Sequence, residues 1–316
     1  MKIVITGGAG CIGSRLAARL LSEGREVWAV DDLSLGSRDN LEPSLRNPRL
    51  HFVAQDVCAP AFASLLQEVR PQRVFLLAAN SDISKGSSDP RVDLERSFLT
   101  TFHTLEAMRL AGTREAIFAS TSAIYGEVAG NLREEHGPLE PISFYGAAKL
   151  AGEAYVSAYC RLYDLRAWVF RFPNVVGPNL THGAVHDFVR RLYRDRDRLA
   201  VLGNGTQTKP YIHVDDLLEA ILLASAQPAQ PVATFNIAGD GATSVREIAE
   251  MVREALQLPG ATIEYGVGDR GWPGDVPSFS YDTSRIRALG WTPVRSSREA
   301  VRAAIESEVA RCRHSS

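Results

Sequence analysis

Lys2-Ile3-Val4-Ile5-Thr6-Gly7-Gly8-Ala9-Gly10-Cys11-Ile12-Gly13 opens the chain, and its reading decides the fold. Lys2 to Thr6 is a short apolar run, which reads as a buried strand. The glycines follow, then an amphipathic segment from Ser14 to Ser22, then Gly24. The next apolar run, Val27 to Val30, ends in Asp31-Asp32. The pattern is strand, glycine turn, helix, strand, acid. Glycines permit a tight turn and let backbone N–H groups approach a pyrophosphate at the helix N-terminus. Asp31, about 20 residues beyond the loop, can accept hydrogen bonds from a ribose diol. Its negative charge repels a 2′-phosphate, which favours NAD over NADP.

Working outward, the alternation continues. His51 to Ala54 reads as a strand leading to Gln55-Asp56-Val57. Asp56 there is either an adenine contact or a simple turn residue. Val74 to Ala79 is a strongly apolar strand that empties into Asn80-Ser81-Asp82, where a parallel sheet presents its carboxyl-end crevice. Asp89 is expected to cap a long helix with Pro90 in its first turn, ending at Gly112. Ala116 to Ala119 and Arg166 to Phe172 are further strands, the first followed by Ser120-Thr121-Ser122. Strands alternating with helices predict an α/β protein with a parallel, doubly wound sheet.

The 316 residues suggest one large or two medium domains. Hydrophobic content of 45% and charged content of 23% are ordinary for a globular protein. A net charge of −2 gives no footprint for nucleic acid or an anionic membrane. The arginines from Arg190 to Arg198 alternate with acids and read as a solvated helix face. No apolar run reaches membrane-spanning length. The N-terminus mimics a signal peptide, but its glycines and Arg15 and Arg19 argue against that reading. Cys11, Cys58, Cys160 and Cys312 lie far apart without metal or disulfide spacing, so a reducing cytoplasm is the default.

Ser143-Phe144-Tyr145-Gly146-Ala147-Ala148-Lys149 begins another predicted helix, capped by Ser143 and continued by an Ala-rich run through Tyr163. Tyr145 and Lys149 are four apart and share a face. A neighbouring ammonium favours phenolate, so Tyr145 is expected to be pulled toward working pH as a base.

The glycine loop, Asp31, Leu77-Ala78-Ala79, Thr121 ahead of Ala123-Ile124-Tyr125-Gly126, Tyr145-x-x-x-Lys149 and Arg171-Phe172-Pro173-Asn174-Val175-Val176-Gly177-Pro178 stand in this order. Together they resemble the extended short-chain dehydrogenase/reductase family, in its group of nucleotide-sugar epimerases and dehydratases. The resemblance implies a Rossmann NAD domain over 1–172, with 210–238 returning to it, and a substrate domain over 173–316. It implies catalysis by Thr121, Tyr145 and Lys149. The cofactor set it implies is Gly7, Gly10, Cys11, Ile12, Gly13, Asp31, Asp32, Asp56, Val57, Leu77, Ala78 and Ala79, with Tyr145 and Lys149. The substrate set is Ser81, Thr121, Ser122, Asn174, His186, Val201, Lys209 and Arg270. It also implies a homodimer formed through helices at 89–111 and 143–163.

Several of these positions carry a second reading. Asn174 contacts a diphosphate or makes a turn before Gly177-Pro178. Lys209-Pro210 stands where relatives carry Arg-Asp; it keeps the charge but loses the bidentate fork, or is a solvated lysine. Arg270, in the expected loop 269–277, is slightly displaced from the family's arginine. His182 and His186 lack companion ligands, so no metal is expected. Ser97 departs from the usual Asn. Ser244 and Glu247 form a capping box, which is structural.

Ser122-Ala123 decides the expected reaction. Related 4,6-dehydratases carry Asp-Glu and decarboxylases Ser-Glu there, and alanine cannot move a proton. What remains is 4-epimerisation of a nucleotide-diphosphate hexose through a 4-keto intermediate, with UDP-glucose/UDP-galactose as first candidate. Phe279 argues against an N-acetyl group at C2 unless it is a core aromatic. The alternatives are another nucleotide-sugar oxidoreductase or modifier (4-reductase, dehydratase or decarboxylase) and a non-catalytic NAD-sensing protein.

Overall fold

A computed structural model describes residues 1–128, 130–228, 231–272 and 274–314. Pro273 of the expected loop 269–277 lies outside them. The chain forms two compact units. The first comprises Met1–Gly126, Gly137–Arg171 and Ile221–Phe235; the second comprises Glu127–His136, Phe172–Ala220 and Asn236–Ser316. Set beside the expected division, the return to the first unit spans 221–235 rather than 210–238, and 127–136 belongs with the second.

The first unit is built on seven strands: β1 Lys2–Thr6, β2 Glu26–Asp31, β3 Leu50–Ala54, β4 Arg73–Leu76, β5 Glu115–Thr121, β6 Arg166–Phe172 and β7 Val232–Asn236. Their order is β7-β6-β5-β4-β1-β2-β3. β1 pairs in parallel with β2 and β4, β2 with β3, and β4 with β5. One row across the sheet reads Trp28, Val4, Val74, Ala116. Such rows are apolar because helices cover both faces of a parallel sheet. The chain winds outward from β1 to β3 and then crosses back to β4. Strand order therefore reverses at β1 and β4, and their carboxyl ends form the switch-point crevice where ligands bind in such sheets.

Helix α1, Cys11–Ser22, buries Leu16, Ala17, Leu20 and Leu21. Helix α2, Pro60–Val69, adds Phe62 and Leu66 to the same core. The long helix expected from Asp89 to Gly112 is interrupted. Asp89 caps a short helix, Pro90–Asp93, by accepting from Arg91 N–H at 3.1 Å. A π-helical turn, Leu94–Leu99, follows, and regular helix resumes as α3, Thr100–Ala111, which ends at left-handed Gly112. At this turn the Arg96 carbonyl accepts the Asn80 N–H, from outside the helix, at 3.2 Å and the Thr100 hydroxyl at 3.1 Å. Partners that insert into the ladder distort a helix in this way. Helix α4, Phe144–Tyr163, starts as predicted, with Ser143 Oγ accepting from Gly146 N–H at 3.1 Å.

The second unit has its own core, in which Val189 and Leu192 of helix Ala184–Arg194, Ile248 and Val252 of helix Val245–Ala255, and Val301 and Ile305 of helix Ser297–His314 pack together. The Ser244–Glu247 capping box is present. Strand Asn174–Val176 pairs with Tyr211–His213, and Arg198–Val201 with Thr262–Tyr265. No helix among the described residues is long and apolar enough to cross a membrane.

Candidate active site

At the carboxyl end of β1 the glycines have separable tasks. Gly7 has φ +69°, and a Cβ there would lie 2.9 Å from Ala78 N. A Cβ on Gly13 would meet Gly7 O at 2.2 Å. Both are demanded by the protein's own packing. Gly10 is different: its φ of −76° suits any residue, and a Cβ there would meet just Gly7 O, at 3.3 Å. Its missing side chain leaves room on the outer side, at a helix start closed by no side-chain cap. Such a helix end favours an anion. This geometry fits the diphosphate of a dinucleotide against Gly10, Cys11 and Ile12.

Asp31 ends β2 with its carboxylate fixed. Oδ2 accepts from Ala9 N–H at 2.9 Å and Oδ1 from Leu33 N–H at 2.8 Å. Burial raises its pKa against the lowering effect of those two donors. Asp32 is exposed and turns back onto Ser34 N–H, 2.9 Å. Asp56 is exposed and closes a turn onto Cys58 N–H at 2.8 Å, while Val57 is buried in the core. The turn reading of Asp56 is thus realised with one oxygen. Leu77 and Ala78 donate their N–H groups to Thr6 Oγ1 at 3.2 and 3.3 Å, which holds loop 77–79 beside Gly7. Ser81 lies exposed just beyond it.

Thr121, Tyr145 and Lys149 come together at the end of β5. Thr121 is buried, and its Oγ1 accepts from Ala123 N–H at 3.2 Å, so it caps the 3₁₀ turn that begins at Ser122. Its side chain also hydrogen-bonds the Tyr145 hydroxyl. Lys149 is 2% exposed, and its Nζ donates to Ala119 O at 2.8 Å. The expected pull of Tyr145 toward working pH is corrected here. Burial and the Asp93 carboxylate push the phenol up, and the Thr121 hydrogen bond offsets them in part. Lys149 is itself pulled down to about 8 by burial, although Asp93 and Glu153 favour its charged form. Its ammonium is directed at a carbonyl, so the i,i+4 spacing does not translate into a stabilised phenolate.

Motif reading missed the groups behind this set. Glu153 receives Arg171 through both oxygens, at 3.0 and 2.8 Å, and also the Ser120 hydroxyl. Arg171 also donates to Tyr125 OH at 2.8 Å. Asp93 is fully buried. The available signal was spacing: Glu153 lies four residues after Lys149 on one helix face.

In the second unit, Asn174 hydrogen-bonds the Tyr211 phenol, which burial pushes up to about 12. Val201 is buried on its strand. Lys209 is ion-paired with Asp275, and Arg270 with Glu127. Asp275 also accepts from Gly271 N–H at 3.0 Å. His186 faces Glu308 at 3.2 Å, where Arg190 and Arg311 also converge. Phe279 is buried with its ring edge-on to Tyr281, 5.6 Å between centroids, as a core aromatic would be.

The Thr121–Tyr145–Lys149 geometry, set on a doubly wound sheet, marks the first unit as a short-chain dehydrogenase/reductase domain. The sequence profile described as the NAD dependent epimerase/dehydratase family matches residues 3–238. A UDP-glucose 4-epimerase of Mycolicibacterium smegmatis is 33% identical over 93% of this chain and 94% of its own. UDP-glucuronic acid decarboxylase 1 of Arabidopsis thaliana is 30% identical over 95% of this chain and 68% of its own. The crystal structure of a Thermotoga maritima UDP-glucose 4-epimerase with UDP-glucose superposes with a TM-score of 0.88 at 30% identity, covering 99% of this chain and 100% of that one. The chain belongs to the NAD-dependent epimerase/dehydratase family of nucleotide-sugar enzymes, and its cofactor is NAD.

Proposed function

We propose that this enzyme is a nucleotide-sugar 4-epimerase, with UDP-glucose and UDP-galactose as first candidates. One observation carries the reading: Tyr145 is bonded to Thr121, and no carboxylate of the described catalytic end is placed to join it in proton transfer. Position 123 is alanine. Glu153 is neutralised by Arg171, and Asp93 lies beneath the surface at 0% exposure. Neither carboxylate is placed to remove water or assist decarboxylation. Thr121 holds the C4 hydroxyl, and Tyr145 takes its proton and later returns it to the other epimer. Lys149 orders the end of β5 through Ala119 O and holds the cofactor's ribose. When bound, NAD accepts and donates the hydride and brings a positive charge that favours the phenolate. Asn174, Lys209 and Arg270 are proposed to hold the diphosphate, and the last two must first exchange carboxylates for phosphates.

Helix α4 presents Ala147, Ala154, Tyr155, Ala158 and Leu162 along one exposed stripe, with Tyr155 edge-on to Phe98 at 5.0 Å. This supports a homodimer, which light scattering tests. The function is tested by incubating purified protein with UDP-glucose and no added NAD. UDP-galactose should form. Turnover dependent on stoichiometric NAD(H) would favour a net oxidoreductase, and bound NAD without any turnover a sensing role.

A further inference from the structure

Lys149 is influenced by two carboxylates, and they differ. Glu153 has both oxygens occupied by Arg171, so its charge is already balanced. Asp93 has no such partner. Its Oδ1 accepts from Asn80 Nδ2 at 3.0 Å and from Ser97 Oγ at 3.3 Å, both neutral donors. Its Oδ2 is buried with no hydrogen-bond partner among the described residues. That oxygen lies against Gly86, where a Cβ would stand 1.8 Å away. The helix Pro90–Asp93 and the π-helical turn after it both pack on α4, which carries Tyr145 and Lys149. A buried carboxylate satisfied by neutral donors alone is costly unless a cation is near.

We propose that Asp93 is a positioning residue for the Tyr145–Lys149 pair, a buried counter-charge that keeps Lys149 cationic at the end of β5. Burial raises the pKa of Asp93; the Asn80 and Ser97 hydrogen bonds and Lys149, from α4, favour its ionised form, and Asp82, from the loop after β4, opposes it. Asp82 is itself balanced in part by Lys85 at 3.6 Å. Asp93 in turn holds up the pKa of Lys149 against burial, and also that of Tyr145. The network explains why Ser97 and Asn80 are polar although buried: they aim the carboxylate. The π-helical turn supplies the register in which the Ser97 hydroxyl reaches Asp93 while its N–H neighbour Asn80 holds the Arg96 carbonyl.

The proposal rests on Tyr145 and Lys149 being the acid/base pair, but its test needs no turnover. The ε-carbon resonance of Lys149, assigned with Lys149→Met, is titrated by NMR in wild type and in Asp93→Asn. The Lys149 midpoint should fall by on the order of one pH unit, the size of one nearby charge. The rising limb of the kcat/KM profile should move to lower pH as well. Coupling is reciprocal, so Lys149→Met should raise the midpoint of the Asp93 carboxyl, a measurement that holds even if Asp93→Asn fails to fold. An unmoved Lys149 midpoint in folded Asp93→Asn, or an unmoved Asp93 midpoint in Lys149→Met, overturns the proposal and leaves Asp93 a structural residue.

Discussion

Lys149 in the first unit is 2% exposed and bonded to a neutral carbonyl, whereas Lys209 and Arg270 in the second are each paired with a carboxylate. Both arrangements place cations where a resemblance to known enzymes puts function. They do different work. A buried lysine without a direct ionic partner is sensitive to every charge around it, so its protonation is set by the protein. A paired lysine has its charge already compensated. It can receive a phosphate only by giving up its acid. On the proposed function, the first arrangement governs chemistry and the second the strength of binding.

The sharpest way to break this contrast is at Tyr145. Tyr145→Phe removes the proton carrier and should lower kcat by ~10²–10⁴ while leaving bound NAD unchanged, measured by steady-state assay and cofactor absorbance. A smaller but global effect is expected behind it. Glu153→Gln strips the buried Arg171 of its charge partner and should cost about 3–5 kcal/mol of stability, read by denaturant unfolding.

In the second unit the corresponding buried acid is Glu308, 3% exposed and held by His186, Arg311 and Arg190. Burial works to raise its pKa, but these partners win and hold it at about 2, from 4.5. The folded value is depressed, so the stabilisation is present above about 4.5 and lost as pH falls toward 2. It amounts to at most about 3 kcal/mol. Glu308→Gln should flatten the acid limb of the stability profile in that window; an identical limb in the variant would remove Glu308 from the account. The smallest effect belongs to Lys209. Lys209→Ala should raise KM several-fold, roughly 1 kcal/mol, with kcat unchanged, because its charge is already compensated. A fall in kcat would place Lys209 with the chemistry and erase the contrast.

Much of the first unit was legible because its signals are local. The Lys2–Thr6 strand, the glycine turn and the Ser143 cap each follow from a few neighbouring residues. The carboxylate orientation of Asp31, with its two backbone donors, follows less directly, since Leu33 and Ala9 meet it by turn geometry. What was not legible depends on residues distant in sequence. Asn80 drawing the Arg96 carbonyl out of the helix ladder is one example. Glu127 meeting Arg270 is another. The pKa of Tyr145 illustrates the same point in electrostatics. Spacing gave its nearest cation, but burial and Asp93 decide its sign. The second unit was least legible, since Lys209 and Arg270 were identified by position while their partners were not.

The central claim, that Tyr145 serves one carbon atom reversibly, is tested most directly with UDP-glucose deuterated at C4. The account predicts UDP-galactose that retains deuterium at C4, with none released to solvent and none at C6. Deuterium appearing in water or at C6, or loss of the label during turnover, would contradict it.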